Sequence, residues 1–506
     1  MATNNDSRNS QLAKDLSDFL RSSATNVEWM SSDLREKLHI PTGLEEVIKK
    51  AVAEKRNVVI AGTAGSGKTH LLQALGRVDG YETTNDLSAL PEEEWPNLFS
   101  RGKRILIAGN EGAFLQASHK QFPGFDDVVR LLHAVQKGED PTGSGPVVID
   151  AAGFDPAGSH VIERILGLKL LTTYAKELPD LAAAAWKMFE DDNVRGRLAV
   201  LVEAASAETG SDGFTFRQLW KFVADMLEAG RENDQPWFSR IFCGACEVSR
   251  RITNVVTPVS LPLPHVGNQL WHGDYDRLRD GFLDCAHPVL DKLIPEMIRD
   301  QTNDARLSRF RTLRILAAFG LRQSPIDGVV DSGVDLWSKV RRREASPLIQ
   351  AINHYFAFGL IELADDLELW LQHDTERRTI KPNVQVSLGT ARANDFSIRR
   401  SSVIANRPSG VEQIEGGRLL LVHNPSGATL SVTKDLIDGI LRTRSHRTNE
   451  RRDVEYDWRL GRFFEQVAAL AARPDKLKVA KFDFQARSGR IMVWQIGEDQ
   501  IRRVAN

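Results

Sequence analysis

Cysteine is scarce, with three in 506 residues. That scarcity excludes a disulfide-stapled secreted scaffold and makes a reducing compartment the default. No apolar run reaches the ~20 residues needed to span a bilayer. The opening stretch, MATNNDSRNSQLAKDLSDFL, lacks the apolar centre of a secretory leader. The expectation is a cytoplasmic protein without a membrane partner. Net charge is nearly absent too, at −2 from 66 Lys+Arg and 68 Asp+Glu. This excludes a wholly basic chromatin-like chain and a strongly acidic solvating one. There is no internal repeat and no low-complexity tract.

What is present is ordinary globular material, 42% hydrophobic and 26% charged. The length suits about two to four domains. The near-zero charge is a cancellation. Residues 1–300 hold 33 Lys+Arg against 43 Asp+Glu, and residues 301–506 hold 33 against 25. A basic C-terminal part is compatible with DNA contact through residues 301–506, and equally with solvated helix faces.

Weak helical periodicity covers 10–22 and 31–38. After Pro41-Thr42-Gly43, the residues Leu44, Val47, Ile48, Ala51 and Val52 predict a helix with one apolar face. Residues 58–61 read as a short buried strand, 62–69 as a glycine-rich loop, and 70–75 as the helix that follows. Further strands are expected at 104–108 and 147–150, with a helix over 125–135. This alternation argues for an α/β fold with a parallel sheet. The stretch 160–232 reads as all helix, placed to act as a lid. A Pro-rich loop is expected over 253–273, helices around 276–320 and 346–370, and short strands from about 380 at 384–388, 396–403 and 418–422. Two helices, 434–442 and 458–472, precede a closing hairpin over 478–486 and 491–496.

The most specific motif is Gly62-Thr63-Ala64-Gly65-Ser66-Gly67-Lys68-Thr69, followed by His70. It fits G-x-x-x-x-G-K-[ST] at every defined position. The glycines let successive backbone N–H groups turn inward as an anion nest. Lys68 supplies a point charge for the β- and γ-phosphates, and the Thr69 hydroxyl suits Mg²⁺. The helix that starts here points its positive end at the same anion. No N-K-x-D guanine-reading motif is present, which favours ATP over GTP, and no L-S-G-G-Q-like signature points to a transporter ATPase.

Such a site also needs acids for Mg²⁺ and for the attacking water. Asp86 (Thr84-Asn85-Asp86), Glu111 (Ile107-Ala108-Gly109-Asn110-Glu111) and Asp150 (Val147-Val148-Ile149-Asp150) compete. None is a full Walker B motif. Glu111 has Asn110 where the Asp would stand, Asp150 is followed by Ala151, and Asp86 lacks an apolar strand before it. Asn110/Glu111 is the preferred pair for sensing or hydrolysing the γ-phosphate. Asp86 and Asp150 are the candidate metal acids, and each of the three acids is otherwise a plain strand-end cap.

Together these segments resemble the AAA+-related P-loop ATPases of prokaryotic DNA-restriction and antiphage defence systems, in particular the ATPase component of phosphorothioation-dependent restriction. The resemblance covers about 40–240. It implies an ATP-driven, cytoplasmic component of a multi-protein system acting on foreign DNA. Phe214-Thr215-Phe216-Arg217 is similar to the lid segment whose arginine reaches the γ-phosphate, which makes Arg217 a sensor candidate. The expected organisation is a polar, helical extension (1–39), a P-loop core (40–160), a helical lid (161–240), a helical middle region (241–375) and an α+β C-terminal region (376–506).

Two weaker constellations remain. Cys243-Gly244-Ala245-Cys246 with Cys285 and His287 offers four ligands for zinc, or two buried small hydrophobes and nothing more. Arginines cluster at 306–314, 341–343 and 442–452, the last among His446, Tyr456 and Trp458 but also among Asp453, Glu455 and Asp457. The leading functional expectation is MgATP hydrolysis using Lys68, Glu111, Asp150 and Arg217, in a monomer or a homo-oligomer. The alternatives are an ATP-binding switch or scaffold with little turnover, and a P-loop kinase.

Overall fold

The structure, a computed structural model, describes residues 2–21, 30–99, 102, 104–158, 160–207, 213–257, 261, 311, 314–316, 318–319, 326, 336–356, 366–370, 384–433, 436–441, 454–468, 476–483, 488–496 and 501–504. It is an α/β protein. Its strands, in chain order, are β1 (Val58–Ala61), β2 (Tyr81–Thr84), β3 (Arg104–Gly109), β4 (Val147–Asp150), β5 (Leu367–Trp370), β6 (Val384–Ala391), β7 (Phe396–Ser402), β8 (Ile404–Ala405), β9 (Glu415–His423), β10 (Ala428–Val432), β11 (Lys476–Asp483), β12 (Ser488–Ile496) and β13 (Ile501–Val504). The helices that matter to the site are α1 (Ala2–Arg21), α2 (Ser32–Lys37), α3 (Gly43–Ala53), α4 (Lys68–Leu75), α5 (Glu111–His119), α6 (Phe125–Gln136), α7 (Val161–Leu166), α8 (Lys169–Ala175), α9 (Asp180–Trp186), α10 (Asp192–Ala207), α11 (Phe216–Asn233), α12 (Phe238–Ile241) and α13 (Glu247–Val255). Beyond them lie α14 (Leu336–Arg341), α15 (Ala345–Phe356) and α16 (Val454–Ala468).

The chain divides into two compact units. The first holds Met1–Glu208, Asp212–Asp331 and Ser402–Gly417, and the second holds mainly Ser332–Ser401 and Arg418–Asn506. In the first unit the sheet order is β2-β3-β1-β4-β8. The first four strands are parallel, and β8 runs antiparallel along β4, so the sheet is mixed. Central β1 and β4 are buried on both faces, which is why VVIA and VVID read as unbroken apolar runs. Val58 and Ile60 pack with Leu44, Val47, Ile48, Leu71 and Leu72 of α3 and α4. Val59, Ile107 and Val148 face Phe114, Phe125 and Leu132 of α5 and α6.

A separate core gathers α1 and α7–α13. Its members include Leu198 and Val202 of α10, Leu219, Phe222, Val223 and Leu227 of α11, and Trp237. A Thr215/Gln218 capping box starts α11, with Thr215 N–H donating to Gln218 Oε1 at 2.8 Å. No helix among the described residues is long and apolar enough to cross a membrane.

The second unit is built on antiparallel pairing. One sheet is β13-β12-β11-β6-β5, antiparallel throughout, and the other is β10-β9-β7. Helices α15 and α16 fill its core with Ile352, Phe356, Phe463 and Phe464. Two sequence expectations change here. Residues 367–370 form strand β5 rather than the end of a helix, and residues 402–417 belong to the first unit, so a C-terminal region starting at 376 is not one body. The closing hairpin is present as β11 and β12. Most of the stretch 276–320, where helices are expected, and most of the Pro-rich 253–273 lie outside the described residues; of the former, 311, 314–316 and 318–319 are described and are helical.

Candidate functional site

The carboxyl end of β1 delivers the glycine loop, and the loop turns directly into α4. Gly65 and Gly67 have φ of +86° and +87°, left-handed values that side-chain-bearing residues rarely adopt. Space reinforces the choice. A Cβ on Gly65 would lie 2.9 Å from the Cβ of Arg217, and one on Gly67 would lie 3.1 Å from the Phe216 ring. The first turn of α11 therefore sits against the crest of the loop. The Arg217 backbone N–H donates to the Gly65 carbonyl at 3.3 Å. Phe216 is fixed in turn by stacking on Phe154, with ring centroids 6.0 Å apart and planes 8° off parallel.

Lys68 folds back into the loop. Its Nζ donates to the carbonyls of Gly62 (2.8 Å) and Thr63 (2.7 Å) and lies 3.4 Å from Asn110 Oδ1. Burial holds its pKa below the usual lysine range; Asp86 pulls it back up and Arg217 adds to the lowering. Asp86 stands after β2, where its Oδ1 accepts the Ser88 N–H at 3.0 Å.

A cavity of about 310 Å³ opens here. Its polar wall is residues 64–70, with Asn85, Asp86, Asn110 and Arg217. Its other wall is apolar, formed by Phe19, Met30, Leu38, Ile40, Leu44 and Trp220. Phe19 and Trp220 meet edge to face at 5.6 Å. Parallel strands send their carboxyl ends to one edge of a sheet, and this is why the loop after β1, Asp86 after β2 and Asn110 after β3 converge.

The other two acids are not brought to the cavity. Glu111 begins α5, and its Oε1 accepts from Gln136 Nε2 of α6 at 3.3 Å. Asp150 is 2% exposed, and its Oδ1 accepts the backbone N–H groups of Ala152 and Gly153, both at 3.1 Å. Its carboxylate thus closes its own turn.

One constellation escaped the sequence. His70, directly after the G-K-T run, places Nε2 2.9 Å from Nδ1 of His39. His39 Nε2 lies 2.9 Å from Glu45 Oε1, which also accepts the Thr42 N–H at 3.3 Å. Burial, with His39 and Arg35 adding to it, lowers the His70 pKa to about 4. The available signal was a histidine one step past the loop and the Thr42-x-x-Glu45 box. Only folding shows that α3 and α4 bring them together.

The remaining candidates lie elsewhere. Cys243 is exposed and Cys246 is buried, with burial pushing the Cys246 thiol up to about 11. Cys285 and His287 lie outside the described residues. Among the described residues no group of three or more His, Cys, Asp or Glu could hold a metal ion. Arg314 is 4% exposed and donates to the Leu261 carbonyl at 3.0 Å, so it is a core residue rather than a phosphate contact. Arg342 pairs with Glu344 at 3.0 Å, and the arginines of 442–452 lie outside the described residues. Comparison with protein-family models, curated proteins and solved structures finds no match for the chain.

Proposed function

We propose that residues 62–69 form a P-loop that cradles the polyphosphate of ATP. In this reading the chain is an ATP-hydrolysing, AAA+-like component of a multi-protein prokaryotic DNA-defence system of the restriction type. The observation that carries the reading is the loop itself. Two left-handed glycines and an inward-turned Lys68 join a buried parallel strand to a helix N-terminus, on the wall of a cavity. Lys68 Nζ donates to the Gly62 and Thr63 carbonyls, which keeps its charge at the loop, where in this reading it would meet the β- and γ-phosphates.

The residues present fit Mg²⁺. Thr69 and Asp86 line the same cavity as Lys68, and Mg²⁺ commonly needs only one or two protein ligands beside phosphate and water. Bound there, it would neutralise charge on the β- and γ-phosphates. Asn110, with Oδ1 3.4 Å from Lys68 Nζ, would contact the γ-phosphate. Arg217 couples that phosphate to α11, whose buried face belongs to the helical core.

A second reading is a switch that binds ATP with little turnover. It is favoured by the engagement of Glu111 with Gln136 and of Asp150 with its own turn, which leaves no described glutamate of the predicted set at the cavity. Phosphate release by the full chain with MgATP, with and without DNA, separates the two. Turnover well above background that DNA raises supports the ATPase. Tight binding with background turnover supports the switch.

A further inference from the structure

The cavity has two unlike walls, and the glycine loop accounts for only one. A triphosphate is strongly hydrated and gains nothing from the apolar wall around Phe19 and Trp220, so that wall suits another part of the ligand. One helix reaches both walls. Arg217, in the first turn of α11, lies against Gly65, and Trp220 follows three residues later, a spacing that puts two side chains on one helix face. Trp220 in turn meets Phe19 of α1 edge to face, with ring centroids 5.6 Å apart.

Phe19 reaches the cavity because α1 is docked on α11. Leu12, Leu16, Phe19 and Leu20 recur at helical spacing and are buried in the helical core. Beside them, Ser17 Oγ accepts from Arg231 Nη1 at 2.6 Å, and Arg21 Nε lies 3.7 Å from Glu228 Oε2. Glu228 and Arg231 both belong to α11. Helix α1 lies outside residues 40–240, which carry the resemblance to P-loop ATPases, so the glycine loop by itself assigns it no part in the site. Two large aromatic side chains beside a phosphate loop suit a flat heteroaromatic ring joined to a phosphate chain. We infer that Phe19 and Trp220 seat the base of the nucleotide, which makes the N-terminal helix α1 part of the binding site. This rests on the nucleotide-binding reading above. Because α1 then supplies contacts to the ligand, the ligand must in return hold α1 on α11 by the same free energy.

The test compares MgATP with magnesium tripolyphosphate, which shares the three phosphates and lacks base and ribose. In titration calorimetry the full wild-type chain is expected to bind both, with ATP at least about tenfold tighter. In Phe19→Ala, checked for an unchanged far-ultraviolet spectrum, ATP affinity should fall about tenfold or more while tripolyphosphate affinity holds. Hydrogen exchange of the wild type gives a second readout that needs no variant: MgATP should slow the α1 amides more than tripolyphosphate does. An equal loss for both ligands in Phe19→Ala would make Phe19 a structural residue and overturn the inference. So would an undiminished ATP affinity, or α1 amides that respond alike to the two ligands. If tripolyphosphate binds and ATP binds no tighter, the phosphate loop stands and the base seat falls. Binding of neither would overturn the nucleotide reading itself, and this inference with it.

Discussion

The two units set polar side chains in different surroundings. In the antiparallel unit they close on one another. Glu368 is 2% exposed; its Oε2 accepts from Ser387 Oγ at 2.6 Å, its N–H donates to Asn353 Oδ1 at 2.9 Å, and Asn353 Nδ2 donates to the Asp366 carbonyl at 2.7 Å. In the parallel unit, Lys68, Asp86, Asn110 and His70 stand instead around a cavity. Polar groups that satisfy each other fix a core, whereas polar groups that border open space are placed for something that arrives. Strand direction makes the difference possible. A parallel sheet gathers the chain after several strands at one edge, and an antiparallel meander sends successive strand ends to opposite edges.

The largest effect that would break this contrast comes from filling the loop. Gly65→Val puts a branched side chain at φ +86°, with its Cβ 2.9 Å from Arg217 Cβ. The strain is roughly 1–3 kcal/mol, and MgATP affinity is expected to fall at least about a hundredfold by calorimetry. Undiminished affinity would show that the loop is not the cradle. Next come the acids. Asp86→Asn should weaken Mg²⁺-dependent ATP binding by about tenfold or more. Asp150→Asn should leave that dependence alone and lower the melting temperature, since the carboxylate caps the Ala152 and Gly153 amides. The reverse pattern would move the metal to β4.

A smaller effect is expected in the other unit. Ser387→Ala removes the bond to Glu368 and should cost about 1–3 kcal/mol in denaturant unfolding, with nucleotide affinity unchanged. A change in affinity would contradict the contrast between closed and open polar groups. The smallest concerns His423, whose pKa burial holds below the usual histidine range, with Asp395 acting in the other direction. A group with a lowered folded-state pKa takes up its proton more readily when unfolded. Its contribution is therefore complete above the ordinary histidine range and is lost as pH falls through it. Melting curves of His423→Gln should show a shallower acid-side decline than wild type; an identical decline would remove His423 from the account.

Much of the parallel unit was legible because its central strands are apolar on both faces. β1, β3 and β4 stand out as VVIA, ILIA and VVID. β2 did not, since YETT is a half-exposed edge strand, and Asp86 therefore looked like an acid without a strand. Glu111 looked better than Asp86 because strand ends can be read from sequence and side-chain direction cannot. The strand ends at Gly109, and residue 111 has already begun a helix that turns it towards α6. β8 was invisible for a different reason. Two residues, Ile404 and Ala405, complete a sheet begun near residue 58, and no local pattern reports a pairing that distant. The histidine relay depends likewise on how α3 and α4 pack.

The central claim is that the edge shared by β1, β2 and β3 is a nucleotide site. The most direct test is titration of the full wild-type chain and of Lys68→Ala with MgATP, each checked for an unchanged far-ultraviolet spectrum. Saturable one-site binding by the wild type, with at least about a hundredfold loss in Lys68→Ala, is the predicted result. Equal binding by both chains, or no binding by the wild type, would contradict the account.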